Sequence, residues 1–354
     1  MFAMTQPKPL SRQCPHCGAS ADNVNYHSRY SSRDGIRFVF RCKLCRKTYC
    51  DRFGTAFYDL KTPEDKVLRS VHQVLEGLGY EAVARIEQVH PTSVHRWVER
   101  AFAQVQLADQ VLLQNIAAEV IEMDELHSFA GTKQLTPETA AAETGKHWTH
   151  CSMARESRLL MDIEVGPRTE ETAKILVENT AKRLAPTIWP LWCSDGWEPY
   201  VGALLSVFHL VIHYLRSKRR GRPRSPQQIA HPDLRYGQVV KPHAGRRLIS
   251  ITKRVIYGVA ELVPLEKIST SLLERLNGTL RLHVSPMRRK TRAFAKCRET
   301  LNMHIQLFKS YYNLCLAHSG LKGQTPAQAA GLTNHQWSVR ELLTFGASNI
   351  SKIT

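Results

Sequence analysis

Two sets of residues in this chain have the types and spacing that metal chemistry requires. Cys14-Pro-His-Cys17-Gly and Cys42-Lys-Leu-Cys45 are CxxC pairs separated by 24 residues. Each pair offers two thiolates from one tight turn, so together they can close a tetrahedral zinc site, and Gly18 supplies the backbone freedom such a turn needs. The other set is acidic. Asp124 lies in Glu119-Val-Ile-Glu122-Met-Asp124-Glu125, Asp195 in Ser194-Asp195-Gly196-Trp197, and Glu274 in a leucine-spaced segment, 71 and 79 positions apart. No local loop spans such distances, so these carboxylates act together only if a fold converges them. Converged, they suit Mg²⁺ or Mn²⁺, which take hard oxygen ligands and stabilise the attacking and leaving oxygens of a phosphodiester. Each acid alone is equally an exposed or capping carboxylate, and Glu122, Glu125 and Asp162 are bystanders of the same type.

The elements expected to position these groups follow from hydrophobic periodicity. The residues between the Cys pairs, with alternation over 37–41, predict a β-hairpin and a zinc ribbon. Residues 119–124 alternate as a strand that stops at Asp124. Residues 148–154 and 159–165 predict a hairpin, 169–184 a helix, 188–194 a strand ending at Asp195, and 268–282 a helix carrying Glu274. This order of strand, hairpin, helix, strand, helix matches an α/β sheet of RNase H type. On the last helix Asn277, Gly278 and Arg281 share a face with Glu274, which suits close approach to a phosphate backbone. Residues 216–247, including "RSKRRGRPRSP", lack an apolar period and read as an inserted or mobile basic loop.

Between ribbon and sheet, Thr62-Pro63-Glu64 starts a helix whose Val67, Leu68, Val71, Val74, Leu75 and Leu78 repeat at helical spacing up to Gly79. A short helix over 80–87, a turn at Val89-His90, and a third helix from Pro91 complete a helix-turn-helix. Its outer side would offer Thr92, Ser93, His95, Arg96 and Arg100 to a DNA major groove, although a plain three-helix packing unit has the same pattern. The apolar stripe over 296–313 reads as core.

Charge points to a polyanionic partner. The chain has 354 residues and carries 49 Lys/Arg against 31 Asp/Glu, a formal +18. Residues 216–309 hold 22 of those bases and 5 acids, a local excess of 17. That surplus predicts double-stranded DNA held through phosphates, with Arg219, Arg220 and Arg222 among the contacts. Nine cysteines, most of them unpaired in pattern, fit a reducing cytoplasm better than a disulfide framework. The most apolar run, 201–215, is short and contains His209 and His213, so neither export nor a membrane span is expected.

The stretches "CPHCG", "RCKLCRKTY", "EMDELHSF", "SDGWEPY", "TSLLERLNGTLR" and "SYYNLCLAHSGLKGQTPAQAAGL" resemble DDE-type transposases of bacterial insertion sequences, in particular the family of insertion sequence one. The resemblance spans about residues 14–333. It implies that Asp124, Asp195 and Glu274 are a metal-binding catalytic triad, that Arg281 is the accompanying base, and that Trp197 and Tyr200 pack or position a DNA end. It further implies binding to terminal inverted repeats, hydrolysis to expose a 3′-OH, strand transfer into target DNA, a homodimer or larger assembly, and residence on a prokaryotic nucleoid. The expected organisation is a zinc ribbon (1–58), a helix-turn-helix domain (59–116), an RNase H-like catalytic domain (117–312) with a basic insertion near 216–254, and a C-terminal tail (313–354). A DNA-binding regulator with relic acids, and a nuclease without strand transfer, remain alternatives.

Overall fold

The computed structural model describes residues 13–132, 145–214, 225–245 and 247–346. The Cys-bearing head forms a three-stranded antiparallel sheet of β1 (Val24–Ser32), β2 (Gly35–Cys42) and β3 (Thr48–Cys50) in sequential order. Phe40 and Tyr49 fill its small core beside Cys14 and Cys42. Three helices follow: α1 (Glu64–Leu75), α2 (Tyr80–Glu87) and α3 (Pro91–Leu112). Gln88 ends α2 in the left-handed conformation at φ 52°, and Pro91 opens α3. Three helices therefore stand where three were expected. α3 is long because Ala101, Val105, Ala108 and Leu112 continue the buried face begun by Val94, Trp97 and Val98.

The centre of the molecule is mixed α/β. A six-stranded sheet has the order β13-β10-β7-β4-β5-β6, formed by β4 (Val120–Ala130), β5 (Gly145–Ala154), β6 (Leu159–Gly166), β7 (Leu191–Asp195), β10 (Arg235–Val240) and β13 (Thr252–Tyr257). β4 with β7 and β7 with β10 are parallel; the other pairs are antiparallel. Smaller two-stranded ribbons pair β8 (His209–Ile212) with β9 (Gln227–Ala230), and β11 (His243–Ala244) with β12 (Arg247–Leu248). Strand alternation sends Ile121 and Met123 toward α4 (Glu170–Arg183) and α5 (Pro199–Val207), where Leu176, Val177 and Tyr200 wait. Leu126, Cys151 and Met153 face the other way, onto α6 (Ser271–His283) and α7 (Arg298–Leu314), meeting Leu273, Leu276, Ile305 and Phe308. Two short helices, α8 (Pro326–Ala329) and α9 (Val339–Thr344), close the described chain. No described helix is long and apolar enough to cross a membrane.

Two expectations are corrected. β4 does not stop at Asp124 but runs six residues beyond it, because β5 continues to pair with it through Ala130. The basic stretch is not a loop throughout: within it β10 is an interior strand, with Tyr236, Gly237 and Gln238 buried. It lacks an apolar run because polar groups there are satisfied internally. Gln238 donates to the Tyr236 hydroxyl at 2.8 Å and accepts from Arg254 Nε at 2.8 Å, and Gly237 leaves room for Ile268.

Candidate metal centres and nucleic-acid interface

In the head, Cys14 and Cys45 Sγ lie 3.7 Å apart, as do Cys17 and Cys42, and all four sulfurs fall within 4.8 Å of one another. A regular tetrahedron with Zn–S bonds of about 2.3 Å has S–S edges of about 3.8 Å, whereas a disulfide needs about 2.05 Å. The four thiols therefore fit zinc by geometry as well as by donor chemistry. The Cys42 thiol is drawn down to about 7 by backbone N–H groups of its own turn, as suits a ligand that binds as thiolate.

The acids converge at the end of the parallel strand pair. β4 and β7 are in register from Val120–Leu191 to Glu122–Cys193. Two residues further on, that register brings Asp124 beside Asp195 on the same face. Pairing of β4 with β7 ends at Glu122, and Glu125 reaches the acids from the opposite face of β4. Carboxylate oxygens of Asp124, Glu125 and Asp195 all lie within 4.8 Å of one another. Burial, opposed by Asn277 and reinforced by Asp195, lifts the Asp124 carboxyl to about 6. Burial and Asp195 lift Glu125 to about 7 against the pull of Arg168. Such a crowd of buried acids is costly without a cation, and three carboxylates within reach of one point suit a divalent ion of the Mg²⁺ type.

α6 is seated on this cluster by Glu122. This carboxylate is fully buried; it accepts the Leu273 N–H at 3.0 Å and Arg155 Nε at 2.7 Å. Arg155 also reaches the Ser269 carbonyl at 2.7 Å. The pinned helix lays Asn277 Nδ2 on Asp124 Oδ2 at 2.7 Å. Glu274, one turn earlier, stands outside the close set of three: it accepts from Thr270 Oγ1 at 2.7 Å and pairs with Lys241. It remains near enough to raise the Asp124 carboxyl. Among the described residues no atom outside its own helix comes within 4 Å of a notional Cβ on Gly278, so it leaves open space on this face. Arg281 follows, half-buried beside Arg289.

Asp195 is fixed by its own turn, accepting the Trp197 N–H at 2.9 Å on Oδ1. Trp197 packs edge-on to Tyr200, which is completely buried and so a packing residue. Of the expected DNA-reading residues, Thr92 and Arg96 are exposed and Ser93 half-buried at the start of α3. His90 Nδ1 caps that start by accepting the Thr92 N–H at 3.3 Å. His95 pairs with Glu99 at 3.6 Å, and Arg100 is engaged with the Tyr58 carbonyl. Arg219, Arg220 and Arg222 lie outside the described residues.

Sequence reasoning passed over Glu122 and Glu125. The alternation of β4 sends their carboxylates to opposite faces, and nothing short of the sheet edge shows that one seats a helix and the other joins Asp195. Arg168 was missed as well; only its place just ahead of α4 was legible.

No family profile and no curated protein matches the chain. Among solved structures, "Crystal structure of the Mos1 Strand Transfer Complex" matches at TM-score 0.17 and 13% identity, covering 39% of this chain and 52% of that one. "Mos1 transposase paired-end complex with left transposon end" matches at TM-score 0.17 and 12% identity, covering 40% and 56%. The chain thus spans little more than half the length of these neighbours.

Proposed function

We propose that the chain is a DDE-type transposase that cuts the ends of its own DNA element and joins them to a target. The observation that carries this reading is the placement of Asp124, within β4, beside Asp195, at the end of β7, just past the last parallel pair, with α6 bringing Asn277 onto Asp124 and Glu274 one turn away. The strand order around them, an antiparallel trio continued by two parallel strands, supports an RNase H-like assignment. Asp124, Asp195 and Glu274 are then the catalytic residues, with Glu274 turning from Lys241 toward the other acids when DNA and metal are present. Mg²⁺ or Mn²⁺ bound there would supply charge neutralisation and a lowered pKa for water. Zinc held by Cys14, Cys17, Cys42 and Cys45 would be structural.

In the first step water oxygen bonds to phosphorus, the P–O3′ bond breaks, and the departing 3′ oxygen takes up a proton, leaving a 5′-phosphate on the other fragment. In the second the freed 3′-OH attacks a target phosphate, and one P–O bond replaces another. The proposed organisation is ribbon (1–58), helix-turn-helix (59–116), catalytic domain (117–312) and tail (313–354). The ribbon and the N-terminal end of α3, through Thr92, Ser93, His95 and Arg96, would read the element ends, and Arg281 and the basic stretch would hold backbone phosphates. Two ends must be held at once, so a dimer or larger assembly is expected.

The test is a labelled duplex carrying the inverted repeats that flank the gene, incubated with Mg²⁺. Nicking and joined product from the wild type, both absent with Asp195→Asn, support the reading. Tight, sequence-specific binding without either product would assign the chain to DNA-binding regulators instead.

A further inference from the structure

Next to the acid cluster an arginine is clamped between two indoles. The Arg168 guanidinium carbon lies 4.7 Å from the Trp148 ring centre and 4.9 Å from that of Trp197. The three residues come from separate places: β5, the connection between β6 and α4, and the connection between β7 and α5. Trp197 is tied to Asp195 through its backbone N–H, so the clamp is built onto the metal-binding acids themselves. Arg168 Nε donates to Glu125 Oε1 at 3.0 Å, and its Nη2 engages the same oxygen.

A guanidinium whose whole task is to neutralise a buried carboxylate uses its fork on both oxygens. Among the described residues Glu125 Oε2 is buried without a partner, while both Arg168 bonds fall on Oε1. The Arg168 side chain keeps 37% of its surface exposed, and among the described residues its Nη1 group has no hydrogen-bond partner. Contact with two indole rings holds the guanidinium in place, and the donors not spent on Glu125 remain for an oxygen of a phosphodiester.

We propose that Arg168 is a further catalytic residue, one that binds a non-bridging oxygen of the phosphate being cut or joined. This rests on the transposase reading, and supplies what three clustered carboxylates need, a fixed cation that offsets their repulsion of an incoming phosphate. Trp148 and Trp197 are its positioning residues.

The experiment uses the full chain and the terminal-repeat duplex with a single phosphorothioate at the cleaved phosphate, as separate Rp and Sp isomers, in Mn²⁺. Arg168→Ala is expected to cut the all-oxygen duplex about a hundredfold more slowly, with DNA affinity within about twofold of wild type. The wild type should prefer one isomer, Arg168→Ala should lose that preference, and Arg168→Lys should lie between, serving also if the alanine variant does not fold. Unchanged cleavage by the variants, an unchanged isomer ratio despite slower cleavage, or no isomer preference in the wild type would overturn the assignment. Failure of the wild type to cut any duplex would instead remove the transposase reading itself.

Discussion

At the residue scale the site depends on buried charges that each hold something else in place. Glu122 shows this most directly, since one carboxylate holds both the start of α6 and Arg155. Glu122→Gln leaves Arg155 without its counter-charge, and we expect a loss of about 3 kcal/mol in urea unfolding. Cleavage should fall further than that loss of folded protein explains, because Asn277 and Glu274 ride on the same helix. A second residue gives the fold an acid sensitivity. His304 is buried against Tyr80, with ring centres 5.1 Å apart, and burial together with His95 lowers its imidazole from 6.5 to about 4. The folded state prefers the neutral ring, so the stability it contributes is present above pH 6.5 and is lost as pH falls toward 4. The full effect is up to about 3 kcal/mol. His304→Phe should therefore flatten the slope of unfolding free energy against pH by about one proton between pH 6.5 and 4; an unchanged slope would contradict the assignment. Neither role could be read from the sequence. Glu122 looks like any strand acid, and His304 like one more member of the apolar stripe of α7.

At the scale of elements, the helices that would read DNA are locked to the helix that carries Glu274. The α1–α2 turn meets the end of α6, where a Cβ on Gly77 would stand 2.4 Å from the Leu282 carbonyl oxygen, and Gly77 itself has φ +89°. His283 Nδ1 lies 3.1 Å from the Leu75 carbonyl in the same contact. Gly77→Ala combines a backbone strain with a clash against main chain, and should cost more than about 1 kcal/mol, read as a lower melting temperature. A second lock joins α3 to α7, where Lys309, 1% exposed, pairs with Asp109 at 2.8 Å and Asp162 at 3.5 Å beside Arg183. Burial raises the Asp109 carboxyl, but Lys309 and Arg183 outweigh it and hold it below its ordinary value. Lys309→Met strips these acids of a partner and should destabilise by about 3–5 kcal/mol. Replacing Lys309, Asp109 and Asp162 together by apolar residues should recover much of that loss. Most elements were legible, because β4 to β7, α1 to α4, α6 and α7 carry apolar periods, whereas α5 was not expected from its uniformly apolar run. β10 was not: three of its four buried positions are Tyr236, Gly237 and Gln238, with only Val239 aliphatic, and the contacts of Gly237 with Ile268 and of Gln238 with Arg254 are long-range. A polar interior strand has no apolar signature, and its basic neighbours disguised it further.

On the scale of the whole molecule, a chain of formal charge +18 brings three carboxylates together at the candidate site while most of its surplus of bases falls within residues 216–309. The Cys pairs and the separation of Asp124 from Asp195 were legible because metal ligands have fixed types and the fold had to bridge the gap. Glu125, Arg168 and the clamp of Trp148 and Trp197 were not, because they join the site from the other face of β4 and through connections between elements. The surplus charge should make DNA affinity fall steeply with salt, in a log–log titration against the flanking duplex. Such binding alone would not separate transposition from regulation or simple cutting. The most direct measurement therefore bypasses cutting: a pre-cut duplex with a free 3′-OH, incubated with supercoiled plasmid, Mg²⁺ and the full chain. The account predicts covalent joining to the plasmid that disappears with a 3′-dideoxy end and with Glu274→Gln. Cleavage of the uncut duplex with no joining from the pre-cut end, or joining that survives Glu274→Gln, would contradict it.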